Sequence, residues 1–200
     1  MVGSCYNNGC GGVEEDHDFY AEAVRFYRLA AEQGHAAAQF SLGAMFGNGE
    51  GVAQDYAEAV RLYRLSAEQG HASAQVILGA KFYHGDGVAQ DYAEAVRFYR
   101  LAAEQGDAVA QFSLGLIFQY GEGVAQDTAE SVRWHLLAAE QGHADAQFSL
   151  GLIFYGEGVA QDTAAAVRWY RLAAEQGHAY AQARLDAMAS VSQKRARRGT

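Results

Sequence analysis

The 200-residue sequence contains no proline at all. Proline removes a backbone donor and breaks helix interiors, so its absence suits a chain that is helical nearly end to end. Cysteine is almost as scarce, with only Cys5 and Cys10, both near the N-terminus. Two thiols make neither a disulfide framework nor a four-ligand metal site, and they read as free thiols of a reducing compartment rather than a small structural bridge. No apolar run approaches the ~18–20 residues that span a bilayer. The opening segment MVGSCYNNGCGGVEEDHD lacks the apolar core of a secretory signal, and Val2 excludes N-myristoylation, which needs glycine after the initiator methionine. Positive charge is short as well. The formal net charge is −9, and Lys194, Arg195, Arg197 and Arg198 crowd into the last seven residues, leaving −13 on residues 1–193. Such a body repels phosphate, which argues against nucleic acid as a partner. These absences together predict a cytoplasmic, monomeric protein with no membrane insertion, no cofactor and no metal. The basic run at 194–198 has two readings: a nuclear-import or acidic-surface address, which would allow a nuclear location, or a disordered soluble terminus. The second is the expectation.

What the sequence does have is repetition. The string AEAVRFYRLAAEQGHAAAQFSLG at 21–43 returns at 57–79, 93–115 and 129–151, with a decaying fifth copy at 164–185. The starts are 36, 36, 36 and 35 residues apart. A fixed period in this range signals a stacked repeat protein. Each unit reads as two helices. One spans AEAVRFYRLAAEQ (21–33 in the first copy), and we term it the B helix. The other, the A helix, begins near Ala36 and runs to about Phe46. Gly34, Gly70, Gly106, Gly142 and Gly177 follow the B helices, where a left-handed stop is expected. The second loop is G-x-G-V-A-Q-D, ending on an Asp at an N-cap position. A Glu follows three residues later in Asp55/Glu58, Asp91/Glu94 and Asp127/Glu130, predicting a capping box; in the last copy the Glu has become Ala165.

The motif LG-x-x-F-x-x-G-x-G-V-x-x-D (Leu78 to Asp91, and again Leu114 to Asp127), the downstream A-x-x-x-Y and the AAEQGHAxAQ joint (Ala30 to Gln39) resemble the Sel1-like repeat family. Tetratricopeptide repeats have a 34-residue period and lack the glycine-rich loop. The resemblance implies an all-α fold, a right-handed superhelical α/α solenoid of about four to five 36-residue helix–turn–helix repeats, serving as a protein–protein adaptor. The expected organisation is a partial repeat or cap over 1–19, in which YNNGCGGV (6–13) is a worn copy of the later loop, the solenoid over 20–189, and a basic, disordered tail over 190–200. Some members carry a cysteine pair in every repeat and are associated with penicillin binding or β-lactam hydrolysis. The repeats from residue 21 onward contain no cysteine, so that activity is not carried over; a hydrolase of that type is kept only as an alternative to the adaptor, beside a purely structural spacer.

Function is sought where the copies disagree. The units at 21–56 and 93–128 differ at seven of 36 positions, none in the B helix; five fall at positions 37, 44, 45, 47 and 48 of the A helix. At ~100° per residue, positions 37, 41, 44 and 48 form one stripe on a helix otherwise apolar nearly all round. In stacked helix pairs the inner helices line a concave surface. The partner-binding candidates on this stripe are Ile77, His84, Val109, Leu116, Tyr120, Asp145, Leu152, Tyr155, Tyr180 and Arg184, with Leu116, Tyr120, Leu152 and Tyr155 expected to gather into one patch. The ligand class is a protein or peptide segment.

Three tempting features are assigned elsewhere. The recurring His35, His71, His143 and His178, with Asp107 in the middle copy, cannot converge on one zinc from helices ~8–10 Å apart, and read as helix-entry residues. The G-x-G loops follow helices and precede no lysine, so they read as turns with positive φ. No Ser-x-x-Lys, Gly-x-Ser-x-Gly or His-Glu-x-x-His is present, and no catalytic residue is assigned. Two irregularities remain. The fourth unit is one residue short, which predicts an altered exit from its A helix. In the fifth, Ala183, Asp186 and Ala189 replace Phe, Gly and Phe, which predicts a terminal cap.

Overall fold

A computed structural model describes the backbone of residues 11–156 and 161–198, and the side chains of 19–156 and 161–190. Ten helices and no strand occur among the described residues: α1 (Gly11–Glu32), α2 (Ala36–Asn48), α3 (Tyr56–Glu68), α4 (Ala72–His84), α5 (Tyr92–Glu104), α6 (Ala108–Tyr120), α7 (Thr128–Glu140), α8 (Ala144–Gly156), α9 (Thr163–Glu175) and α10 (Ala179–Arg198). The odd-numbered helices are B helices and the even-numbered ones A helices. The fold is the expected all-α helix-pair solenoid. Two units are separable, residues 1–90 with α1–α4 and residues 91–200 with α5–α10. Within each, successive helices pack on one another.

Each joint is built from the backbone bonds that a helix end leaves open. After α1, Gly34 turns left-handed at φ 87°, and the N–H of His35 reaches back to the carbonyl of Ala30 at 3.1 Å. Space around Gly34 is open, so the positive φ alone demands glycine there. His71, His143 and His178 then cap the A helices, each Nδ1 accepting from the N–H three residues on at 3.2–3.3 Å; Asp107 does the same at 2.9 Å. The helix-entry reading therefore holds for these four, whereas His35 makes no such bond.

The G-x-G-V-A-Q-D loop divides its labour residue by residue. Its first glycine caps the A helix in the left-handed region, as Gly121 does at φ 74° with its N–H on the carbonyl of Ile117. The second glycine allows a close approach: a Cβ on Gly123 would collide with Tyr92 at the start of α5. The Gln amide of the loop (Gln54, Gln90, Gln126) donates to a carbonyl in the last turn of the A helix, at 2.7–2.8 Å. The Asp begins the next helix. Asp127 accepts from the N–H groups of Ala129 and Glu130, at 2.9 and 3.0 Å.

The reciprocal half of the expected capping box is not made. The N–H that the Glu would satisfy is already bonded to the A helix: Asp55, Asp127 and Asp162 donate to the carbonyls of Phe46, Phe118 and Phe154 at 2.8–2.9 Å. The freed Glu turns to the Arg three residues on, in Glu58–Arg61, Glu94–Arg97 and Glu130–Arg133. Loss of the Glu at Ala165 accordingly leaves the cap of α9 intact, with Asp162 still accepting two N–H groups.

Small residues let the helices of a pair close. A Cβ on Gly43 would stand 3.0 Å from the Tyr63 ring, and one on Gly115 would stand 2.5 Å from the His135 ring. The neighbouring phenylalanine is held between two rings. Phe40 meets Tyr63 at 5.7 Å and stacks on His71 at 4.8 Å, and Phe112 meets His135 and His143 at 5.6 and 4.7 Å. A glutamine relay runs beneath. Gln39 is buried and donates to the carbonyl of Ala31, while its oxygen accepts from Gln69 at 2.6 Å; Gln111 and Gln141, then Gln147 and Gln176, repeat the arrangement.

Both ends differ from expectation. The first B helix begins at Gly11, ten residues before the repeat proper, so residues 11–13 of the supposed worn loop are helical; residues 6–10 lie outside the described residues. At the other end the basic segment, expected to be disordered, is helical as far as Arg198. From 179 onward no glycine or proline occurs before Gly199, so nothing in the backbone stops the last helix. In the short fourth unit Gly156 is the last residue of α8, at φ 150° in place of the 74–77° of Gly49, Gly85 and Gly121. The bond from Asp162 to Phe154 survives, so the missing residue is taken up between them.

Candidate partner-binding stripe

Ile77 and His84 belong to the first unit and the other eight stripe residues to the second. Val109, Tyr120 and Tyr180 stand clear of the surface, with 50%, 65% and 75% of their area exposed. His84, Asp145 and Arg184 are exposed, and Ile77, Leu116 and Leu152 are half-buried. Ser149, on the same helical line, is buried. Position 37 is the second residue of the first A helix and 48 its last, so side chains at these two ends escape the packing that hides the middle of the helix.

The stripe divides into local surroundings. Leu152 packs against the core cluster of Ala166, Tyr170, Ala173 and Ala181. Tyr155 lines a small cavity of about 70 Å³ together with Arg184 and Met188 of α10. Asp145 Oδ1 lies 3.2 Å from His178 Nε2, and Tyr180 sits 6.4 Å from the Phe148 ring that stacks on that imidazole. His84 meets Tyr83 edge to face at 4.8 Å. Among the described residues no three His, Cys, Asp or Glu converge to hold a metal. No helix there is long and apolar enough to cross a membrane.

One buried group carries no sequence signal beyond its being an odd residue out. His135 occupies the position held by Tyr63, Tyr99 and Tyr170 in other repeats and is wholly buried. Its Nε2 lies 3.4 Å from Gln119 Oε1, while Nδ1 has no hydrogen-bond partner. Burial, with a smaller contribution from His143, pushes its pKa down to about 4.

The Sel1 repeat model matches residues 1–35, 36–71, 72–107, 108–143 and 144–178, the later boundaries falling where the A helices begin. The chain belongs to the Sel1 repeat family. Sel1 repeats generally act as protein-interaction scaffolds. Among solved structures, this Sel1 repeat chain is similar to a protective antigen of uropathogenic Escherichia coli strains displaying an SLR fold, at 40% identity and a TM-score of 0.82 over 84% of this chain and 36% of that one. It is also similar to a Sel1 repeat protein from Oxalobacter formigenes, at 37% identity and a TM-score of 0.74, over 80% of this chain and 66% of that one. An immunity protein from Pseudomonas aeruginosa is similar at 26% identity and a TM-score of 0.50, over 79% of this chain and 58% of that one. The chain thus spans about a third and just under two thirds of the first two relatives. Comparison with curated proteins returns no match.

Proposed function

We propose that this Sel1 repeat chain is a non-catalytic adaptor that binds a protein or peptide segment on the stripe its A helices present. The observation that carries the reading is a contrast within the repeats. Between the units at 21–56 and 93–128 the B helices are identical, and among the positions that differ Val109 and Tyr120 stay exposed, as does Tyr180 on the same stripe of the fifth copy. Exposed aromatic and apolar side chains beside half-buried ones form the kind of surface that anchors partners.

The test is affinity capture from the native host with the chain and its Tyr120→Ala, Tyr180→Ala double variant. Both rings are mostly exposed, so the variant should melt within ~0.5 kcal/mol of the parent. Loss of an anchor typically costs ~2 kcal/mol or more of binding, so the main captured protein should disappear. Capture that persists unchanged overturns the stripe, and turnover of a β-lactam by purified protein overturns the non-catalytic reading.

A further inference from the structure

Four of the five B helices carry an aromatic ring at the same place: Phe26, Phe98, Trp134 and Trp169. In the second unit Trp169 of α9 is buried against Ala138 and Ala139 of α7 and against Ala146 and Leu150 of α8. The second B helix, α3, has Leu62 instead. Leu62 faces the corresponding set of the first unit, Ala31 of α1 with Ala38 and Leu42 of α2. A leucine is smaller than an indole by a whole ring system. Over Leu62 the structure opens a groove of about 630 Å³ between α1 and α3, floored by Ala31, Leu42, Phe46, Leu62 and Leu65.

A second observation says what the groove takes. In each ring-bearing B helix the preceding arginine covers the ring: Arg97 lies 4.1 Å from the Phe98 centroid, Arg133 5.1 Å from Trp134 and Arg168 5.5 Å from Trp169. Arg61 precedes Leu62 at the rim of the groove. Its guanidinium is held by two hydrogen bonds to the Glu58 carboxylate, at 2.8 and 2.7 Å. Among the described residues no ring lies beneath it. The cation is in place, its orientation is set, and the aromatic face it covers elsewhere is missing. Cation–π attraction is strongest where the ring is desolvated, as it would be on this apolar floor.

Charge completes the description. With Arg61 neutralised by Glu58, the rest of the rim carries Arg28 against Glu32 and Asp55, one negative charge in excess. We propose that this groove is a docking site for a tryptophan or phenylalanine side chain of a protein partner, flanked by basic residues, which fills over Leu62 the volume that Trp169 fills in its own repeat. The site lies between α1 and α3 over the floor that α2 supplies in the first unit, and it shares no residue with the A-helix stripe.

The experiment is an amide NMR titration of the full chain with the tripeptide acetyl-lysyl-tryptophyl-lysinamide, with acetyl-lysyl-leucyl-lysinamide as control. Saturable shifts are expected at Ala31, Gly34, Leu42 and Leu62, with the leucine peptide weaker by roughly ten-fold. Leu62→Trp supplies the ring in cis. It should melt no lower than the parent and lose the response, and Arg61→Gln should weaken the tryptophan peptide several-fold while sparing the fold. If Leu62→Trp does not fold, Leu62→Phe, which installs the residue found at Phe98, is read in the same way. Equal response to both peptides, an undiminished response in the ring-bearing variant, or shifts confined to the stripe of α6 and α8 would each overturn the proposal.

Discussion

At the scale of single residues, the most telling departures are those that a neighbour has accommodated. His135 replaces a tyrosine, and only in that repeat does Gln119 stand within reach of the ring. The pair keeps one imidazole nitrogen partnered, but the ring stays buried and neutral, with its pKa lowered to about 4 chiefly by burial. The unfolded chain takes up the proton near 6.5, so between about 6.5 and 4 the unfolded state binds more protons than the native one. Stability from this group is therefore fully present above about 6.5 and is lost as pH falls toward 4, amounting to about 3 kcal/mol at most. His135→Tyr restores the residue of Tyr63 and Tyr170 and removes that titration. Denaturant melts at pH 7.5 and 5 should show a smaller acid loss for the variant than for the parent. Equal losses would mean that the acid sensitivity arises at the carboxylates.

At the scale of elements, a helix was easier to foresee than its ends. Periodicity and glycine placement gave α2 to α9 with small boundary differences, because each joint carries its own left-handed stop and N-cap. Nothing comparable marks the ends of the array, and α1 and α10 run past the repeat in both directions. The role of the buried glutamines was missed for a related reason: they recur with the repeat, but recurrence does not say what satisfies a polar residue on an apolar helix, and Gln39, Gln111 and Gln147 are satisfied by carbonyls eight residues away and by the next repeat. In α10 the described packing stops at Leu185 and Met188, while Ala183, Asp186 and Ala189 lie exposed where a following repeat would sit. Deleting residues 190–200 should therefore change stability by less than ~0.5 kcal/mol. A melting temperature lower by several degrees would show that the last turns of α10 are held by the body.

At the scale of the whole molecule, the repeat frame was legible because it is written five times, and a feature written once is legible only as an exception to it. Tyr120 and Val109 stood out because the B helix and the loop of their repeat are identical to those of the first. Leu62 did not, since a leucine among apolar residues looks like core until the ring-bearing helices are seen in place. The same repetition makes stability local, a sum of small terms that each unit supplies for itself. Asp127 and Asp162 illustrate this within the second unit. Each accepts two N–H groups at the start of its own helix and donates to its own A helix, and the two share no partner. Removing an N-cap costs about 1 kcal/mol, and sites without shared partners add to within ~0.5 kcal/mol. Asp127→Ala and Asp162→Ala should thus each lower the unfolding free energy by about 1 kcal/mol, and the double variant by their sum. Guanidinium melts of the four proteins provide the comparison, with a constant denaturant slope showing that the unfolding reaction is the same in each. A double variant that loses far more than the sum would mean that one cap supports the other through α8, and that the repeats of this unit are not independent contributors.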